Sequence, residues 1–290
     1  MKIVLLTSPN LYSSTILNRL LDEFDSQIVA VVTDSRIEPI SYCVTLWEYF
    51  KSAGFGYPAA KIYKLAYFRI MRSLDRHLGL APGIRALNTW SGIYRRRGIP
   101  IYKIGKIEDR ESIDLIESMA PDLIVSVLFG QILKKDVIEA PDLGCLNFHP
   151  AYLPQYRGTS PVFWSLARGE TRTGYSIHFI DEGIDTGALI KRGIIPIEAT
   201  DTEHSLYMKC VTQGAEALIK AIREVGAGTY QTIDVTGEPT SYFSKPTRAA
   251  YRQFKRLAHR FFKASDVHKE QIELSLEPNP WLPSSKISPS

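Results

Sequence analysis

Four short runs constrain what this chain can fold into: Ile3 to Leu6, Ile28 to Val32, Leu123 to Leu128 and Leu146 to His149. The first three are β-branched or aliphatic along nearly their whole length, and the fourth sets Leu146 and Phe148 between polar residues. Such runs predict strands buried on both faces. Helical periodicity lies between them, over Ser14 to Phe24, Ile107 to Met119 and Gln131 to Ile138, bounded by polar residues or proline. Strand alternating with helix predicts an α/β fold with a doubly wound, mostly parallel sheet, whose ligands bind beyond the carboxyl ends of the strands. A functional site is expected just after Leu6, Val32, Leu128 and Phe148.

The repeating unit is interrupted after Asp34. Residues from about Glu38 to Arg97 are too many for a simple connection and rich in aromatic and basic side chains, which reads as a helical insertion. Thr202 to Val225 reads as one amphipathic helix, stopped by Gly226-Ala227-Gly228. A catalytic domain over 1–225 and a short C-terminal appendage over 226–290 are expected. The appendage offers a candidate strand at Tyr230 to Val235 and a basic amphipathic helix over about 245–263. A Pro/Ser-rich tail from about Glu277 is expected to be disordered. Apolar residues at 44% and charged residues at 23% fit a globular chain and indicate neither a disordered nor a membrane-embedded one overall. Three cysteines, Cys43, Cys145 and Cys210, are too far apart for a disulfide framework or a short-spaced metal pair, which fits a reducing cytoplasm and no metal. No leader or bilayer-spanning run is evident, so the expected location is cytoplasmic.

Chemistry concentrates in two places. Period-two alternation over Leu146-Asn147-Phe148-His149 puts the Asn147 amide and the His149 imidazole on one face, and Pro150 and Pro154 end regular structure right after them. Alone, a strand-end histidine is more often a hydrogen-bonded structural residue than a catalyst. Asp181-Glu182-Gly183-Ile184-Asp185-Thr186-Gly187, between apolar runs Tyr175 to Ile180 and Ala188 to Ile195, would alone read as an acidic turn. Together, an amide donor, an acid/base and an orienting carboxylate form a set suited to acyl transfer. His178 reads as structural or supporting rather than catalytic.

Three spaced motifs resemble the folate-dependent formyltransferases: Asn147-Phe148-His149-Pro150, then Leu153-Pro154-Gln155-Tyr156-Arg157-Gly158 with Ser160-Pro161, then Asp181 through Gly187. The resemblance is close over roughly 100 to 195 and looser over the first 35 residues; Ala151-Tyr152 stands where many relatives have Ser-Leu. It implies a formyltransferase-like Rossmann variant, 10-formyltetrahydrofolate as donor co-substrate, and no metal. Asn147, His149 and Asp185 would be the catalytic residues. Leu128, Phe129, Gly130 and Ile132, with Asp181 and Gly183, would hold the pterin. Ser8, Asn10, Tyr12, Arg157 and Gly158 are weaker acceptor-binding candidates, and Ser13 or Ser14 is expected to cap the first helix.

The expected acceptor is a small biosynthetic amine, foremost a nucleotide- or lipid-linked amino sugar. A methionyl-tRNA formyltransferase normally carries a C-terminal barrel, and the residues after Val225 are too few for one, so tRNA ranks lower as a partner. A formyltetrahydrofolate hydrolase and a non-catalytic folate-binding protein are the other readings. Homo-oligomers stay open. The 245–263 segment is read first as a helix docked on the catalytic domain, and second as a peripheral contact with an anionic membrane surface or a polyanion, joined by Tyr63 to Arg76 of the insertion.

Overall fold

A computed structural model describes residues 1–8, 10–34, 47–78 and 98–266. The chain runs β1 (Ile3–Thr7), α1 (Leu11–Phe24), β2 (Ile28–Asp34), α2 (Gly56–Leu78), β3 (Ile101–Ile104), α3 (Arg110–Ser118), β4 (Leu123–Val127) and α4 (Lys135–Ile138). It continues through β5 (Cys145–His149), β6 (Arg157–Gly158), α5 (Pro161–Ala167), β7 (Arg172–Phe179), β8 (Leu189–Pro196), α6 (Glu203–Gly226), β9 (Tyr242–Phe243) and α7 (Arg248–Arg256). A seven-stranded sheet has the order β3-β2-β1-β4-β5-β7-β8. Its first five strands are parallel, and β7 and β8 enter as an antiparallel hairpin beside β5. The fold is the expected mostly parallel α/β architecture.

The four apolar runs are strands because both sides of each are covered. Ile3, Leu5, Val125, Leu146 and Phe148 pack under α1 and α6 on one face, while Val4, Leu6, Ile124 and Cys145 pack under α3 and α4 on the other. Gly214 lets α6 lie against the sheet, since a Cβ there would meet the Phe148 ring at 2.3 Å. β3 escapes sequence reading because it is a sheet edge: Tyr102 and Lys103 face solvent and only Ile104 is buried, so no continuous apolar run marks it.

Several expected bounds shift for local reasons. Asn10, not Ser13 or Ser14, caps α1, its side chain accepting from the Ser13 N–H at 2.9 Å while Ser13 Oγ accepts from the Asn10 N–H at 3.1 Å. The helix expected over Gln131 to Ile138 begins only at Lys135, because the Gln131 amide bridges Ile107 N and Gly105 O at 2.9 and 2.8 Å. The strand expected at Tyr230 to Val235 reduces to one bridge, Ile233 against Leu189. The basic helix ends at Arg256 instead of reaching 263, as Ala258 turns left-handed (φ 60°) and returns Phe261 to the interior. The insertion is helical over 47–53 and through α2, while 38–46, 79–97 and the tail from Glu277 lie outside the described residues.

A further core joins α2, α5 and the start of α6 to the segment after Gly226. Tyr57, Phe163, Phe254 and Phe261 meet there, with Phe254 fully buried and 4.9 Å from the Phe261 ring. Strand β9 pairs with β6, Trp164 Nε1 donates to Ser244 O at 2.9 Å, and Thr202 Oγ1 donates to Asp266 Oδ2 at 2.7 Å. Phe254→Ala is expected to destabilise the whole chain by about 3–5 kcal/mol in urea unfolding. Loss of less than about 1 kcal/mol would mean that this segment is energetically separate.

Candidate active site

Leu146 and Phe148 belong to the core under α1 and α6, so strand alternation aims Asn147 and His149 to the opposite face at the end of β5. The third group arrives from the β7–β8 loop, which has no room for side chains at its glycines. A Cβ on Gly187 would lie 2.0 Å from the Phe179 carbonyl, and one on Gly183 would lie 2.0 Å from Thr186 Oγ1. Asp181 organises the loop by accepting from Gly183 N at 3.1 Å and Thr186 Oγ1 at 2.7 Å. Asp185 sits at φ 52°, a left-handed conformation that aspartate tolerates better than most residues.

Asp185 receives three contacts. Its Oδ2 accepts from the Gly158 N–H at 2.8 Å and lies 3.6 Å from His149 Nδ1, and its Oδ1 lies 3.5 Å from His178 Nε2. Gly158 is required for this, because at φ 98° a Cβ would strike the Phe243 carbonyl at 2.2 Å. The contacts fix proton positions. His149 Nε2 is 2.9 Å from the Tyr156 carbonyl, which only accepts, so Nε2 carries hydrogen and Nδ1 is the nitrogen that faces Asp185.

His178 links two members of the trio. Its Nδ1 donates to the Phe179 carbonyl at 2.6 Å, while its Nε2 lies 3.1 Å from Asn147 Nδ2. One ring thus touches both the amide and the carboxylate. The signal was the antiparallel register that pairs Asn147 with His178, which no spacing in the sequence reveals.

Burial alone would raise the Asp185 pKa, yet the charge of His149, the contact with His178 and the Gly158 N–H overcome it and hold the carboxyl well below the usual carboxylate range. A depressed pKa adds stability that is complete above the unfolded value of about 3.9 and is lost as pH falls through the folded value. The gap in stability between the wild type and Asp185→Asn should therefore shrink as pH falls below about 4. Thermal unfolding across that range checks it, and a gap that widens on acidification would reverse the sign.

Leu128 to Ile132 leaves the end of β4, next to β5; Leu128 is left-handed (φ 52°), Phe129 is half-buried and Ile132 is exposed. Ser8 knits three strand ends together, donating to Asp34 Oδ2 at 3.0 Å and accepting from Gly130 N at 2.8 Å. Asn10 is occupied as the helix cap. Tyr12 stacks on Tyr207 at 3.9 Å and its hydroxyl lies 2.9 Å from His204 Nδ1, so it belongs to a separate polar cluster with Lys64. Arg157, beside Gly158 in β6, has a buried Nε that no acceptor among the described residues meets.

Residues 93–222 match the family model described as Formyl transferase. The methionyl-tRNA formyltransferase of Clostridioides difficile (strain 630) is 42% identical over 130 residues, spanning 45% of this chain and 42% of that protein. That of Synechococcus sp. (strain JA-3-3Ab) is 31% identical over 205 residues, spanning 66% of this chain and 64% of that protein. The chain thus spans between 40% and 64% of the first such relatives. A sugar N-formyltransferase from Shewanella sp FDAARGOS_354 superposes with a TM-score of 0.57 at 19% identity, covering 90% of each chain. Glycinamide ribonucleotide transformylase 1 from Symbiobacterium toebii gives 0.55 at 16% identity, covering 81% of this chain and 95% of that one. At such identities these likenesses speak to the fold.

Proposed function

We propose that this chain, which belongs to the formyl transferase family, transfers the formyl group of 10-formyltetrahydrofolate to the nitrogen of an amine. The observation that carries this reading is the convergence of Asn147, His149 and Asp185 at the carboxyl end of β5, held by His178, Gly158 and the Tyr156 carbonyl. The amine nitrogen bonds to the formyl carbon, the bond from that carbon to the folate nitrogen breaks, and the amine's proton passes by way of the site to the departing nitrogen. Asn147 offers its amide hydrogen to the formyl oxygen as charge grows there, an oxyanion-hole role. His149 Nδ1, backed by the ionised Asp185, stabilises the same charge and moves the proton. His178 keeps the Asn147 amide oriented.

The donor fits the residues at hand. Ile132, beyond the end of β4, and Ile184, next to Asp185, leave apolar side chains exposed, and the backbone of the Asp181 to Asp185 loop offers polar groups, a combination suited to a flat heteroaromatic ring. We place Leu128, Phe129, Gly130, Asp181 and Gly183 as neighbours of that ring in this proposal.

For the acceptor we favour an amino sugar, nucleotide- or lipid-linked. The second reading is methionyl-tRNA, favoured by the names of the sequence relatives. Formyl transfer from radiolabelled 10-formyltetrahydrofolate to a panel of amino-sugar nucleotides, with methionyl-tRNA alongside, decides between them. Label on a sugar amine alone supports the first reading; label on the tRNA alone replaces it.

A further inference from the structure

We propose that α2 and α7 together form a docking surface for an anionic membrane, which goes beyond the formyl-transfer reading and does not depend on it. Beyond its first turn, where Tyr57 is buried, helix α2 is reversed in polarity. Its inward side carries Lys61 and Lys64, whose ammonium groups meet the buried Glu203 carboxylate at 2.5 and 3.1 Å. Its solvent side, among the described side chains, presents Ile62, Tyr63, Leu65, Ala66 and Ile70 at helical spacing, with Tyr63 65% and Ile70 59% exposed. Phe55, just before the helix, is 75% exposed. A solvated helix normally shows the reverse arrangement, and a contiguous exposed apolar face of this kind marks an interaction site.

Cations rim this face. Arg248 and Arg252 of α7 line a shallow cleft with Phe55, and Lys255 and Arg260 line a second with Tyr63 and Phe262. The stretch from Lys245 to Lys263 has no acidic residue, and among the described residues Arg248, Arg252 and Lys255 form no ion pair. The buried half of α7 is already spent on the interior through Phe254, so its cations are what it offers outward. Aromatic and aliphatic side chains framed by arginine and lysine match the boundary between anionic headgroups and acyl chains. Ile62, Leu65 and Ile70 have no counterpart on a phosphodiester backbone, which disfavours a nucleic acid, and a second copy docked face to face would set these cations against their own kind.

The test is co-sedimentation of the full chain with vesicles of equal parts phosphatidylglycerol and phosphatidylcholine, against phosphatidylcholine alone. Binding is expected only to the anionic vesicles and is expected to weaken with salt. Ile62→Ser/Ile70→Ser and Arg252→Ser/Lys255→Ser alter exposed side chains, and each pair should lower partitioning about tenfold or more with an unchanged circular dichroism spectrum. Equal binding to neutral vesicles, or full binding by the isoleucine pair variant, would overturn the proposal. So would indifference to vesicles combined with arginine-dependent binding of total tRNA, which would make the partner a nucleic acid. Self-association abolished by Ile62→Ser/Ile70→Ser, without vesicle binding, would assign the face to a second copy instead.

Discussion

Asn147→Ala is expected to lower kcat by about 10²–10³, the scale of a lost oxyanion donor, with little change in the affinity for folate. His149→Ala should cost about 10²–10⁴, as removal of an acid/base group does. The size of the first effect follows from geometry. Asn147 is held by His178 Nε2 at 3.1 Å, so its amide is oriented before substrate arrives and spends no reorganisation during reaction. Combining the two substitutions should cost much less than the product of the separate losses, because both act on one developing charge. Steady-state kinetics of the single and double variants check this; multiplicative losses would show that the two residues act independently, and losses under about fivefold would remove Asn147 from the chemistry.

Glu203→Ala is expected to destabilise the chain by about 3–5 kcal/mol, the penalty for stranding buried charge. Glu203 sits at the start of α6, 3% exposed, with Lys61 on one oxygen and Lys64 on the other. Burial pushes its pKa up, but the two ammonium groups prevail and bring the carboxyl down to about 2. Its share of stability is therefore present above the unfolded value of about 4.3 and disappears as pH falls through about 2. Urea unfolding at neutral pH measures the loss. Glu203→Leu combined with Lys61→Met and Lys64→Met should recover most of it, since an apolar set of similar volume leaves no charge buried. A single Glu203→Ala variant as stable as the wild type would mean that water, not Glu203, solvates these lysines.

Legibility from sequence followed burial. β1, β2 and β4 are covered on both faces and announce themselves as continuous apolar runs; edge strand β3, with Tyr102 and Lys103 in solvent, does not. Asn147, His149 and Asp185 could be picked out by residue type and motif, and the structure brings them together. What stayed hidden depends on partners distant in sequence. His178 acquires its place only through the register with β5, Gly158 N–H reaches Asp185 across a loop, and Glu203 meets lysines from the insertion. The amphipathic pattern of the 245–263 segment was real, but left-handed Ala258 divides it, and the two phenylalanines Phe254 and Phe261 face the interior. Tyr12 read as an acceptor contact and instead joins the Lys64 and His204 cluster, because the insertion folds over the start of α1.

The most direct test of formyl transfer at this site is tetrahydrofolate release from 10-formyltetrahydrofolate, followed with and without an amine panel that includes amino-sugar nucleotides. Release is expected to require one class of amine, to match formamide formation mole for mole, and to fall at least about 10²-fold in Asn147→Ala. Release at the same rate in buffer alone, or at the same rate in the variant, would contradict it.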